Sequence, residues 1–115
     1  HWEVHTPMAA RNERIQYFER KAAGLGLSDF NAVYAAEVEA LDQSLGRIMH
    51  TLSALGLKEN TLLIYTSDNG GLMGQTDNAP LREGKGTFYE GGIRVPFVVQ
   101  HLILQSQCGT YVPIG

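Results

Sequence analysis

The sequence predicts an α/β fold, built as a mostly parallel sheet flanked by helices, and three features of it do so. An amphipathic helical stretch from Asp29 to Leu55 runs directly into an apolar run of strand length, Thr61 to Thr66. That run breaks abruptly into Asp68-Asn69-Gly70-Gly71. After a glycine-punctuated loop a second strand is predicted from Ile93 to Val99. Helix followed by buried strand is the alternation that builds sheets covered by helices, and ligand sites in such sheets lie just beyond the carboxyl ends of the strands.

The bounds on the chain agree with this class. Its 115 residues suit one small domain or a piece of a larger one. With 43% hydrophobic and 18% charged residues a core is within reach, and the composition is that of a globular rather than a disordered chain. A net charge of −3 leaves no basic footprint for nucleic acid, and no apolar run approaches the ~20 residues of a membrane span. One cysteine, Cys108, rules out an internal disulfide and a multi-cysteine zinc site. The chain opens His1-Trp2-Glu3 with neither initiator Met nor signal peptide, and it reads as cut from something longer.

Taken in order, His1 to Pro7 is an extended segment, because Pro7 biases Thr6 away from helix. Met8 to Ala23 is rich in helix formers and heavily charged, which predicts a solvent-washed helix ending near Gly24 or Gly26. Ser28 or Asp29 is placed to cap the next helix. Its apolar stripe is Tyr34, Val38, Leu41, Leu45, Ile48, Leu52 and Leu55, with Glu39, Gln43, Arg47 and His50 opposite and Gly56 as the stop. An isolated coiled-coil segment is the lesser alternative, since the stripe is short and a strand adjoins it. Leu62 to Tyr65 is continuously apolar rather than alternating, as in a parallel strand covered on both faces.

At the end of that strand Asp68 offers a carboxylate and Asn69 an amide carbonyl. Both are hard oxygen donors suited to calcium or magnesium. Asn-Gly is also a common turn dipeptide, and taken alone the tetrapeptide reads better as a turn. Lys85 stands between Gly84 and Gly86, where absent side chains would let an anion approach backbone and ammonium together. A surface lysine in a loop is the bland alternative. Neither a P-loop nor a G-x-G-x-x-G fits: Ala79 and Gly86 break the first and Tyr89 the second. Arg82, Glu83, Glu90 and Arg94 are available for ion pairs that anchor the loop, the role assigned to Glu90 and Arg94.

Together these segments resemble the sulfatase family, in particular its calcium-dependent, formylglycine type within the alkaline-phosphatase-like superfamily. The likeness is carried by Ser67-Asp68-Asn69-Gly70-Gly71, by Pro80-Leu81-Arg82 with Gly84-Lys85-Gly86-Thr87, and by Tyr89-Glu90-Gly91-Gly92-Ile93-Arg94-Val95-Pro96-Phe97. The helix with Leu41-Asp42 and Leu45-Gly46-Arg47 is similar to the one that precedes this block in the family, and His5-Thr6-Pro7 resembles its His-x-Pro segment. The resemblance implies an alkaline-phosphatase-like α/β sandwich, with residues 1–99 a partial catalytic domain and 100–115 an unmatched tail. It implies Asp68 and Asn69 as metal ligands, Lys85 as a catalytic contact to the sulfate and bridging oxygens, and His5 as a catalytic histidine at the sulfate or leaving group; a structural histidine is the alternative for His5. It implies Ca2+ in preference to Mg2+, a sulfated small molecule or glycan as substrate, and a periplasmic, secreted or lysosomal setting.

The chain departs from the family pattern in two places. The family makes formylglycine from the cysteine of a Cys-x-Pro-Ser-Arg segment and completes its metal shell with an Asp-Asp pair, and neither is in these residues. Cys108 is followed by Gly109-Thr110-Tyr111 and does not match. Asp68 and Asn69 alone are few donors for calcium, which takes about 6–8 oxygens. The expectation is a sulfuric ester hydrolase in the parent, with this chain inactive alone. A phosphomonoester or phosphonate hydrolase of the same superfamily and a truncated non-catalytic product are the alternatives; Glu90 to Pro96 favours the sulfatase. The stripe from Tyr34 to Leu55 is expected to lie exposed, with aggregation or loose structure in isolation.

Overall fold

The computed structural model describes residues 5–101. The order is helix α1 (Asn12–Gly24), helix α2 (Ala32–Ala54), a 3-10 turn (Lys58–Asn60), strand β1 (Leu63–Thr66), the single-turn helix α3 (Glu90–Ile93) and strand β2 (Phe97–Gln100). The tail from residue 102 onward, with Cys108, lies outside the described residues, as does the start of the predicted extended segment.

Helix α1 starts later than the composition suggests. Arg11 is its N-cap, extended at φ −64° and ψ 130°, with no side-chain cap. Just before it, the Ala9 N–H donates 2.7 Å across to Glu37 Oε1 of α2 and so takes no part in a helical turn. Both long helices end in the same way. Gly26 (φ 69°) and Gly56 (φ 66°) take the left-handed conformation that costs other residues strain. Leu27 N–H then reaches Ala22 O at 3.0 Å, and Leu57 N–H reaches Leu52 O at 2.9 Å, closing orphan carbonyls in Schellman fashion.

The cap of α2 is Asn31, not Ser28 or Asp29: its Oδ1 accepts the Tyr34 N–H at 3.0 Å. Helix α1 packs on the face of α2 predicted to meet solvent. Ala22, Ala32 and Ala36 are buried there, and Arg14 clasps the Glu39 carboxylate through two nitrogens, Nε to Oε2 at 2.6 Å. Small alanines let the helices approach, and the charge at Glu39 is answered by Arg14 instead of water. The apolar stripe on the other side is only partly open: Val38, Ile48 and Leu55 are 42%, 52% and 65% exposed, while Tyr34, Leu41, Leu45 and Leu52 are half-buried. Its lower end meets the sheet across a cavity of about 60 Å3 lined by Met49, Leu52, Leu63 and Gln100.

The strands pair antiparallel, Leu63 opposite Gln100 and Thr66 opposite Phe97. This corrects the parallel pairing inferred for β1 from its continuous apolar run: such a run reports coverage of both faces and not strand direction. One face of the pair, with Ile64, Phe97 and Val99, is exposed among the described residues. The second strand is shorter than Ile93 to Val99 because Glu90–Ile93 curls into α3, with the Arg94 N–H donating to Glu90 O at 2.8 Å. Between β1 and β2 the long connection folds back on the strand end and forms the site.

Candidate active-site loops

Strand β1 delivers Ser67, Asp68 and Asn69 at its carboxyl end. The Ser67 hydroxyl donates to Asn69 O at 2.9 Å, which tightens the turn. The Asn69 Nδ2 donates to Gly70 O at 3.0 Å and leaves Oδ1 as the acceptor. Asp68 is exposed and accepts no hydrogen bond among the described residues.

The lysine loop is stitched to this turn through backbone. The Lys85 N–H donates to Gly71 O at 3.0 Å, Gly70 N–H to Gly92 O at 2.9 Å, and Gly91 N–H to Arg82 O at 2.8 Å. Glycine is required here for closeness, not flexibility. A Cβ on Gly70 would overlap the Gly91 carbonyl and sit 3.2 Å from the Gly92 Cα. One on Gly91 would overlap the Glu83 carbonyl and lie 2.6 Å from the Arg82 oxygen. The strand end, the lysine loop and α3 thus pack main chain against main chain.

Around Lys85 the loop is held locally. Thr87 donates to Gly84 O from both N (3.2 Å) and Oγ1 (2.8 Å). Arg82 lies over the Tyr89 ring at 3.7 Å, and Glu83 occupies the left-handed region at φ 57°, a strained setting for a side-chain-bearing residue. Glu90 and Arg94 form the anchoring pair expected of them, at 3.4 Å along α3. Lys85 is half-buried, and its ammonium makes no hydrogen bond or ion pair among the described residues.

The structure therefore brings Asp68, Asn69 and Lys85 into one loop cluster. It does not join His5 to them: His5 is exposed, its Nδ1 donates to Thr6 O at 2.7 Å, and no hydrogen bond links it to the other three. Two residues of the cluster carry no sequence expectation. Gln75 accepts from the Asn31 Nδ2 at 3.0 Å, tying the start of α2 to the site loop. Asn78 donates to two carbonyls of the loops, Gly71 O and Glu83 O. Its signal in the sequence is faint, an Asn two places before a proline, a pattern common to many turns. Among the described residues no three or more His, Cys, Asp or Glu side chains converge on a metal position. The local donors are the Asp68 carboxylate and Asn69 Oδ1, adjacent hard oxygens whose chemistry fits part of a divalent-cation shell.

The site is thus a β-strand that ends in two oxygen donors, backed by a glycine-packed loop that carries a lysine. The chain belongs to the sulfatase family, whose profile matches residues 1–101, and it has the family's alkaline-phosphatase-like fold. A sulfatase of Formosa agariphila is 51% identical over 78 residues, covering 61% of this chain and 14% of that protein. Arylsulfatase J of Mus musculus is 34% identical over 105 residues, covering 90% of this chain and 17% of that protein. Among solved structures, Ps i-CgsB in complex with k-i-k-neocarrahexaose superposes with a TM-score of 0.74 at 34% identity, over 85% of this chain and 21% of that one. The chain thus spans 14–17% of the length of these curated relatives. Family membership implies a metal ion and a formylglycine nucleophile.

Proposed function

We propose that this chain contributes the metal-edge and lysine loops to a sulfuric ester hydrolase, residues 1–99 being part of its catalytic domain. The observation that carries the reading is the Lys85 N–H bonded to Gly71 O, which sets the lysine loop against the turn holding Asp68 and Asn69. Cleavage of a sulfate ester builds negative charge on the leaving oxygen and on the sulfuryl oxygens. A fixed cation is most effective where that charge develops. Lys85, with no partner of its own among the described residues, is free to take a sulfuryl or bridging oxygen.

Asp68 and Asn69 would hold a calcium ion together with ligands from outside these residues. Such an ion supplies charge neutralisation at the sulfate oxygens. His5 is assigned to the sulfate or the leaving oxygen. Its Nδ1 proton is committed to Thr6 O, so Nε2 is the atom that would accept or return a proton. The nucleophile must come from elsewhere, since no Cys-x-Pro-Ser-Arg occurs in the sequence. The substrate is proposed to be a sulfated glycan or small molecule, a saccharide being favoured by the oligosaccharide bound to Ps i-CgsB. Export to the periplasm, the outside of the cell or the lysosome accompanies this reading.

The test is hydrolysis of para-nitrophenyl sulfate by a full-length chain carrying this segment. Lys85→Ala is expected to lower kcat by about 10²–10³-fold, the usual loss for one oxyanion contact. Asp68→Ala should abolish calcium-dependent activity. Undiminished turnover by Lys85→Ala, or faster cleavage of the phosphate analogue than of the sulfate, would overturn the assignment.

A further inference from the structure

Asn78 belongs to no role considered so far, and its geometry is unusually determined. It lies in the middle of the connection, half-buried, with its neighbours fixed on both sides. The Ala79 N–H donates to Asp77 Oδ1 at 2.8 Å, and the Leu81 N–H donates to the Asn78 carbonyl at 2.9 Å. Its own amide then spans the two loops. Nδ2 donates to Gly71 O at 2.8 Å and to Glu83 O at 3.1 Å.

Both acceptors matter for where Lys85 stands. Gly71 O is the same carbonyl that receives the Lys85 N–H at 3.0 Å, so Asn78 and Lys85 share one anchor two residues beyond Asn69. Glu83 is the left-handed residue two places before the lysine, at φ 57°. A non-glycine residue persists in that region only where its surroundings hold it, and the Asn78 amide bonds its carbonyl. The packing is equally close. A Cβ on Gly84 would lie 2.5 Å from Asn78 Nδ2, and one on Gly71 would lie 2.7 Å from Asn78 Oδ1. Only an amide supplies two N–H donors from one nitrogen at this size. Aspartate would set a carboxylate against two carbonyl oxygens, and alanine would leave both without this donor.

We propose that Asn78 is a positioning residue: it clamps the turn bearing the metal-edge donors to the lysine loop and so fixes Lys85 relative to Asp68 and Asn69. The proposal rests on the sulfatase reading for the chemistry that Lys85 performs, but the clamp itself is a property of this chain.

Two measurements test it. In a full-length chain carrying this segment, Asn78→Ala is expected to reduce kcat for para-nitrophenyl sulfate about 10²-fold, the scale of a small misplacement of a catalytic group, with KM changed less than about threefold. In a Lys85→Ala background the same substitution should cost less than about threefold, because two residues acting through one group are not additive. A loss that multiplies fully on the Lys85→Ala background would mark Asn78 as merely structural and overturn the proposal. In the same full-length chain, hydrogen exchange of the Lys85 amide should quicken at least about tenfold in Asn78→Ala, while the amide of Ile15 in α1 does not change. Equal protection of the Lys85 amide in both proteins would also overturn it. If Asn78→Ala fails to fold, Asn78→Ser, which keeps one donor, is read in the same two assays, with smaller losses in the same pattern expected. A wild-type enzyme that does not cleave sulfate esters would sink the sulfatase reading, and the exchange experiment would still decide on the clamp.

Discussion

Replacing glycines separates closeness from flexibility in this site. Gly70 has an ordinary backbone, yet an added Cβ would strike the Gly91 carbonyl and lie 2.8 Å from its carbon. Main chain cannot swing aside as a side chain can. Relief requires the strand end and α3 to part, which breaks the 2.9 Å bond from Gly70 N–H to Gly92 O. Overpacking costs about 1–3 kcal/mol and a lost backbone hydrogen bond about 1 kcal/mol. Gly70→Ala should therefore cost about 2–4 kcal/mol, or about 30- to 900-fold in the folding equilibrium. Gly86 is the opposite case: its φ is 88° and nothing lies within 4 Å of an added Cβ. Gly86→Ala pays only the conformational strain, about 1–2 kcal/mol. Gly24, the last residue of α1, has open space and an ordinary φ, and Gly24→Ala should be neutral or stabilise by up to about 1 kcal/mol. Urea unfolding of the three variants, followed by far-ultraviolet circular dichroism, gives the order Gly70 worst, Gly86 next, Gly24 harmless. Equal losses at Gly70 and Gly24 would refute the claim that main-chain contact builds the site.

Two further predictions concern the frame. Glu39→Gln keeps the shape of the α1–α2 clasp but removes its charge, so it should lower the urea midpoint, and high salt should lower the wild type toward the variant; a salt-independent wild type would contradict this. The hydrogen bond to Glu39 holds the Arg14 guanidinium above its ordinary pKa. The raised value means that this stabilisation is fully present below the ordinary arginine range and is lost only as pH rises through the folded-state value, so the midpoint difference should stay constant from neutral to mildly alkaline pH. On the far side of α2, Ile48 is 52% exposed. Ile48→Glu should reduce binding of a hydrophobic dye by the chain and shift its stability by no more than about 0.5 kcal/mol; a large loss of stability would mean that the stripe is already packed.

What the sequence made legible follows from how local each signal is. The two helices could be read because their spacing and their glycine stops are local, and the structure ends both at the glycine just past the last turn. Asp68, Asn69 and Lys85 could be singled out because the motif string from Ser67 to Phe97 resembles the sulfatase family, whereas taken alone they read better as a turn and a surface lysine. The antiparallel pairing could not, since an apolar run is the same whichever way its neighbour points. The face of α2 that α1 chooses was hidden because alanines at 32 and 36 count as weakly apolar, whereas close helix contact favours them. Asn31 does not stand out as a cap because Ser28 and Asp29 precede it with equal propensity. Asn78 does not stand out because its partners are carbonyls of residues that lie apart in sequence, and a donor pair of that kind leaves no periodic trace.

These differences share a cause that also bears on function. The loops are held together by main chain and by Asn78, while the chemistry-bearing groups hold almost nothing. Among the described residues Asp68 is exposed and unbonded, the Lys85 ammonium has no hydrogen-bond or ion-pair partner, and Asn69 uses only its amide nitrogen, within its own turn. Neither the Asp68 carboxylate nor the Lys85 ammonium is thus tied up in a hydrogen bond or ion pair among the described residues, which leaves both groups available to something outside the scaffold. That division makes the proposed roles separable from stability: substitution of Asp68 or Lys85 should leave the unfolding midpoint where it is, whereas substitution of Gly70 should move it. Loss of activity at the first pair without loss of fold is therefore a statement about chemistry, and the scaffold residues provide the control.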